Sequence, residues 1–208
     1  MFDYKFEIIV AGKTVSCRAF SLREYINLMK AKKDGTILQY VKELILKCTD
    51  AKDLNRQESE YLITQLWAHS LGEVNTQSTW ECSCGHQMEV PLNLSQVQID
   101  SLEPPVYNFG DFKIQFKYPK LFDDQNHARM IASCIDFIIT GNERLSVDDL
   151  SAEELNQLYD AITIDDIKVI TEQLLKPTVY LAVPIHCEKC GEKHVHIVKG
   201  LKEFFRLL

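Results

Sequence analysis

Glycine and proline are scarce in this chain: eight and six among 208 residues. With 46% hydrophobic and 25% charged residues, that scarcity excludes collagen-like and disordered classes. Long apolar runs are missing too, and none approaches the roughly 18 residues of a membrane span. Residues 1–6 alternate and carry charge, which is not the pattern of a secretory signal peptide. Basic clusters are absent, and the net charge is −7. Nucleic-acid binding depends on counterions displaced at a basic surface, so it is disfavoured. The densest cationic group, Lys30, Lys32 and Lys33, ends a predicted helix, where positive charge complements the dipole. Catalytic signatures are lacking as well. There is no glycine-rich phosphate loop, no serine-nucleophile elbow and no His-Glu-x-x-His. The acids at Asp123-Asp124, Asp148-Asp149, Glu153-Glu154 and Asp165-Asp166 precede or open predicted helices, and capping explains them without catalysis. An enzyme is not expected.

Cysteine, by contrast, is plentiful. Seven cysteines, an odd number, fit a disulfide framework poorly. A reducing cytoplasm, where thiols are buried or bind metal, suits them better. Cys17, Cys48 and Cys134 each stand alone in apolar surroundings and read as core residues. The other four form two short pairs, Cys82-Ser83-Cys84-Gly85 and Cys187-Glu188-Lys189-Cys190-Gly191. Each pair is followed by an alternating, strand-like stretch. Two thiolates on one turn cannot complete a tetrahedral shell, but two such turns together can. Cys82, Cys84, Cys187 and Cys190 are therefore the expected ligands of one structural Zn²⁺. Four thiolates leave no open position for catalysis. His86, His186 and His194 lie close enough in sequence to substitute for a thiolate. The alternatives are a mixed Cys/His site or a hairpin without metal.

The expected fold class is α+β, predominantly helical with short β-hairpins, in which the cysteine hairpins form a zinc-ribbon-like site. A hairpin spans residues 2–20. Ser21 to Glu24 make a capping box before a helix, and further helices follow at about residues 37–48 and 56–71. Residues 101–105, with two prolines, read as a connector. Beyond it come a strand at 112–116, a helix at about 124–140, helices at 151–162 and 163–175, and a strand at 179–185. The expected division is 1–100 and 106–208, joined by the metal into one compact unit. Both halves run strand, helices, cysteine hairpin, which suggests an internal duplication.

The end of the chain carries a resemblance. Leu174-Leu175, Val183-Pro184-Ile185-His186-Cys187-Glu188-Lys189-Cys190-Gly191, His194-Val195-His196-Ile197, Gly200-Leu201 and Phe204-Phe205 resemble the C-terminal signature of baseplate hub assembly proteins of T-even-type phages. Trp80-Glu81-Cys82-Ser83-Cys84-Gly85 is similar to the same group. The shortened pair Cys82-x-Cys84 departs from a regular double Cys-x-x-Cys pattern. The resemblance implies a late, non-enzymatic viral protein of tail assembly, working in the host cytoplasm or retained in the virion baseplate. It would be an assembly factor or chaperone for hub components, or a permanent hub subunit. A zinc-ribbon nucleic-acid module is the remaining reading. The implied partners are other baseplate hub proteins and the tape-measure protein. Phe204, Phe205, Leu207 and Leu208 could fill a partner's groove as a helix does, or fold back on their own core. The oligomeric state does not follow from the sequence.

Overall fold

The computed structural model describes residues 4–71, 75–141 and 143–206. It divides into two compact units. Unit 1 combines Met1–Asp100 with Thr178–Leu208, and unit 2 is Ser101–Pro177.

Unit 1 begins with an antiparallel hairpin, β1 (Lys5–Val10) and β2 (Lys13–Arg18), with Ile8 opposite Val15. Ala11 and Gly12 both hold positive φ, 48° and 76°, as a two-residue turn matched to strand twist requires. Ile8, Val10, Val15 and Cys17 form its buried face. Helix α1 (Leu22–Lys33) starts at a reciprocal cap. The Ser21 amide donates to the Glu24 carboxylate at 2.8 Å, and the Glu24 amide donates to the Ser21 hydroxyl. Arg18 grips the same carboxylate through both guanidinium ends, at 3.0 and 2.8 Å. Helices α2 (Ile37–Cys48) and α3 (Arg56–Leu71) follow. Next come β3 (Asn75–Glu81) and β4 (Gln87–Asn93), an antiparallel pair with Trp80 opposite Met88. A short β5 (Gln98–Ile99) completes this stretch.

Unit 2 is a four-stranded antiparallel sheet with three helices. Its strands lie in the order β6 (Val106–Asn108), β7 (Lys113–Phe116), β8 (Ile135–Thr140), β9 (Glu143–Ser146). Helix α4 (His127–Cys134) joins β7 to β8, and α5 (Ala152–Ala161) and α6 (Ile164–Leu175) follow the sheet. The core gathers Ile114, Phe116, Met130, Ile131, Ile170 and Leu174. Capping boxes Ser151–Glu154 and Thr163–Asp166 start the last two helices, so these carboxylates satisfy backbone amides. The Tyr107 hydroxyl also donates to Asp166 at 2.7 Å.

The chain then returns to unit 1 as β10 (Val179–His186), β11 (Lys193–Lys199) and α7 (Gly200–Phe204). Strand β10 pairs with both β11 and β5. At the crossing point, the Asp100 amide donates to the Thr178 carbonyl at 3.0 Å, and the Thr178 amide donates to the Asp100 carboxylate at 3.3 Å. Helix α3 is the centre of unit 1, packed against β1, β2, α2, β5, β10 and α7. It buries Leu62, Ile63, Leu66 and Trp67, and also Gln57, Glu60, Thr64 and Gln65. Polar groups at that depth need partners. Arg56 pairs with Glu60 at 3.3 Å, and Gln65 donates to the Leu94 carbonyl.

Three expectations are overturned. The protein is not predominantly helical. Strands and helices share the chain, and the strands form several antiparallel sheets. The helix expected over residues 124–140 ends at Cys134, and Ile135–Thr140 is instead β8, paired with both β7 and β9. Ile131, Cys134, Ile135 and Ile138 are all buried at spacings that also suit a helix. The β-branched and aromatic run Ile135 to Thr140 favours a strand once a sheet edge is available. The element orders of the two halves also differ: among the described residues, the four-stranded sheet in the second has no counterpart in the first. The resemblance between halves read as duplication therefore does not extend to the fold.

Candidate metal centre

Two hairpins of unit 1 end in sulfur-bearing turns. In the first, the Cys82 amide donates to the His86 carbonyl at 2.9 Å, and the Gly85 amide donates to the Cys82 carbonyl at 2.8 Å. In the second, the Cys187 amide donates to the Glu192 carbonyl, and the Gly191 amide to the Cys187 carbonyl, both at 2.9 Å. Gly85 and Gly191 sit at φ 76° and 74°, a region L side chains rarely enter. Each glycine thus reverses the chain directly after a cysteine. The two turns have the same plan although one cysteine pair is a residue shorter.

The turns bring all four sulfurs together. The Sγ atoms of Cys82, Cys84, Cys187 and Cys190 lie within 4.8 Å of one another. Cys82 Sγ is 3.6 Å from Cys190 Sγ, and Cys84 Sγ is 3.8 Å from Cys187 Sγ. Thiolates bound at about 2.3 Å around a tetrahedral Zn²⁺ would stand roughly 3.8 Å apart. These separations fit that shell. Cys82 and Cys187 are buried, while Cys84 and Cys190 face the surface.

The electrostatics fit the same donor set. The Cys84 amide directed at Cys82 lowers that thiol below its usual value. The Cys190 amide does the same for Cys187, outweighing its desolvation, and with further help from the Lys189 amide brings it to about 7. Cys190 moves the other way, to about 12. The Glu192 amide favours its thiolate, but the Cys187 sulfur, desolvation and the Cys82 and Cys84 sulfurs together outweigh it. Sulfurs this close resist ionising together unless a cation joins them. The cluster could hold a metal ion.

A family identification follows from the whole chain. Residues 1–206 match the sequence profile of the family described as T4 bacteriophage base plate protein. The chain belongs to that family. It is also 54% identical, over all 208 residues and the full length of the relative, to "Baseplate hub assembly protein gp26" of Enterobacteria phage T4. No solved structure matches it. The family recognised from the cysteine hairpins and the Gly-Leu…Phe-Phe tail is thus the one to which this base plate protein belongs.

The histidines read as substitute ligands separate. His194 Nε2 lies 3.6 Å from Cys82 Sγ and 3.4 Å from Glu192 Oε2, and its ring packs 4.8 Å from Trp80. Cys82, Glu192 and His194 form a second, overlapping group of potential ligands. Among the described residues, neither His86 nor His186 joins such a group. Glu192 was not anticipated from sequence. It accepts a hydrogen bond from the Ser83 hydroxyl at 3.1 Å and so ties the two turns together. Its signal was the two-residue spacing to His194, which places both on one side of the chain entering β11.

Cys17, Cys48 and Cys134 are buried apart from the cluster, and burial pushes each thiol up to about 11. Of the tail residues read as a partner contact, Phe204 is buried with Leu201 in unit 1, where α7 packs on α3, β10 and β11. Phe205 is half-buried, and its carbonyl accepts a hydrogen bond from Lys32 Nζ at 3.0 Å. Phe204 thus packs into the core of unit 1. Leu207 and Leu208 lie outside the described residues.

Proposed function

We propose that this chain acts in building the phage baseplate hub, as a non-enzymatic assembly factor stiffened by one structural Zn²⁺. The observation that carries the first part is the 54% identity over the full length of a protein named for baseplate hub assembly. The spacing of the four sulfurs supports the second. Held by Cys82, Cys84, Cys187 and Cys190, the ion pins the β3–β4 turn to the β10–β11 turn. Its coordination is then saturated, so it supplies rigidity and no Lewis-acid chemistry. The partners are other baseplate hub proteins, met in the host cytoplasm during assembly.

Quantitative mass spectrometry of purified virions and of assembly intermediates tests this reading. The chain should accompany hub intermediates and be far below hub stoichiometry in finished virions. A stoichiometric amount in virions would make it a permanent hub subunit. A phage lacking the gene that still builds hubs at the normal rate would refute the assembly role altogether.

A further inference from the structure

Unit 2 carries the entire charge imbalance of the protein. Residues 101–177 hold 14 Asp and Glu against 7 Lys and Arg, whereas unit 1 holds 16 of each. The net −7 of the chain is therefore the charge of unit 2 alone.

The same unit has an apolar groove of about 230 Å³ walled by α4, the end of α5 and α6. Ala128, Ile131, Ala132, Tyr159, Ile162 and Ile167 line it. Ala128 and Ala132 stand one turn apart on α4, so at these two positions the wall has no bulk to keep a neighbouring backbone away. Tyr159 is 40% exposed, and Ile164, one turn before Ile167 on α6, is 74% exposed. These exposures hold with the chain's described residues in place. The walls bring anions with them: Asp160 follows Tyr159, and Asp165 and Asp166 precede Ile167. Arg129 and Lys168 are the nearby cations in sequence, and Lys168 is paired with Asp165 at 2.9 Å.

We infer that this groove docks an amphipathic helix of a partner protein, apolar on one face and flanked by Lys or Arg. The helical form of the occupant follows from the walls. Each is a helix that uses its own interior amides and carbonyls, so an extended segment would find no ladder to join. A helix brings its backbone already satisfied. Its apolar face meets the alanines and isoleucines, and its basic flanks meet the acidic surface of unit 2, which also steers the encounter. The inference stands whether or not the protein acts in hub assembly.

The probe is a fluorescent synthetic helix of Leu and Lys at amphipathic spacing, about five turns long. A matched helix carries Glu in place of Lys. Fluorescence anisotropy with the full-length protein should show the Lys helix binding at least about tenfold more tightly than the Glu helix. Ala128→Trp, a neutral change at an exposed position, should weaken the Lys helix by about tenfold. Unchanged binding to that variant would mean that charge alone holds the probe, and the groove assignment would fail. A photo-crosslinking version of the Lys helix gives a readout on the unaltered protein. Crosslinks on α4, α5 and α6 are expected, and crosslinks confined to unit 1 would overturn the inference. Self-association of the wild-type protein that Ala128→Trp abolishes would assign the groove to a second copy and overturn the partner helix.

Discussion

Cys82 Sγ lies 3.6 Å from Cys190 Sγ, although 108 residues separate them along the chain. Between the two cysteines run the rest of the β3–β4 hairpin, all of unit 2 and strand β10. Bound to one ion, as proposed above, the four sulfurs would clamp this long loop and remove much freedom from the unfolded chain. The same ion would reinforce the β3–β4 hairpin, which is a two-stranded ribbon and so marginal alone.

Metal content should follow the four clustered cysteines and ignore the buried ones. The purified protein is expected to carry about one Zn²⁺ per chain. Cys187→Ser should lose it and lower Tm, and a strong chelator should do the same to the wild type. Cys134→Ala, a core change in unit 2, should leave the metal in place. Elemental analysis of the variants checks this, and full metal content in Cys187→Ser would remove the site from those residues.

Glu24 makes stability depend on pH in acid. The Arg18 guanidinium, helped by the Ser21 cap, brings its carboxyl from 4.5 down to about 2. A carboxyl depressed on folding contributes stability that is complete above its unfolded value and is lost as pH falls through the folded one. The loss therefore runs from about pH 4.5 to pH 2. Glu24→Gln should cost about 1 kcal/mol at neutral pH, and the difference from wild type should fade across that window. Urea titrations at several pH values measure it. A constant difference between the two proteins would show that the ion pair and charged cap are not responsible.

The core of unit 2 should be separable from the proposed metal centre. Leu174 is fully buried among Ile114, Met130 and Ile170. Leu174→Ala should cost about 2–5 kcal/mol. Amide hydrogen exchange should quicken in β7, β8 and α6 while metal content stays at the wild-type level. Loss of metal in this variant would mean that the two units unfold as one.

Phe204 should behave as a core residue. It is 5% exposed and lines a small cavity with Trp67 and Ile63. Phe204→Ala should cost about 3 kcal/mol and shift the Trp67 emission to the red as water enters. Unaltered stability and emission would place Phe204 outside the core and favour the tail as a surface for partners.

Much of unit 1 was legible from local patterns. The β1–β2 hairpin, the Ser21–Glu24 box, the three helices and both cysteine turns follow from alternation, capping chemistry and glycine placement within a few residues. In unit 2, α5 and α6 were readable from their caps. Strand β8 was not, because residues 131, 134, 135 and 138 satisfy the helical period as well as the strand that β7 pairs with. Strand β6 has three residues, too few to show a period, and β9 has a single apolar residue, Leu145, among four, so no alternation marks it. The bond between Ser83 and Glu192 spans 109 positions and leaves no local trace.

Local chemistry sufficed for the sulfur-bearing turns, the helix starts and the membership of a phage base plate family, because each depends on neighbouring residues or on a short motif. Tertiary packing decided the rest. It chose which remote strand would complete the hydrogen bonds of residues 135–140, placed the Asp100–Thr178 crossing around an inserted unit, and turned Phe204 inward. Those outcomes depend on groups far apart in the chain, whose mutual burial exists only once both have folded.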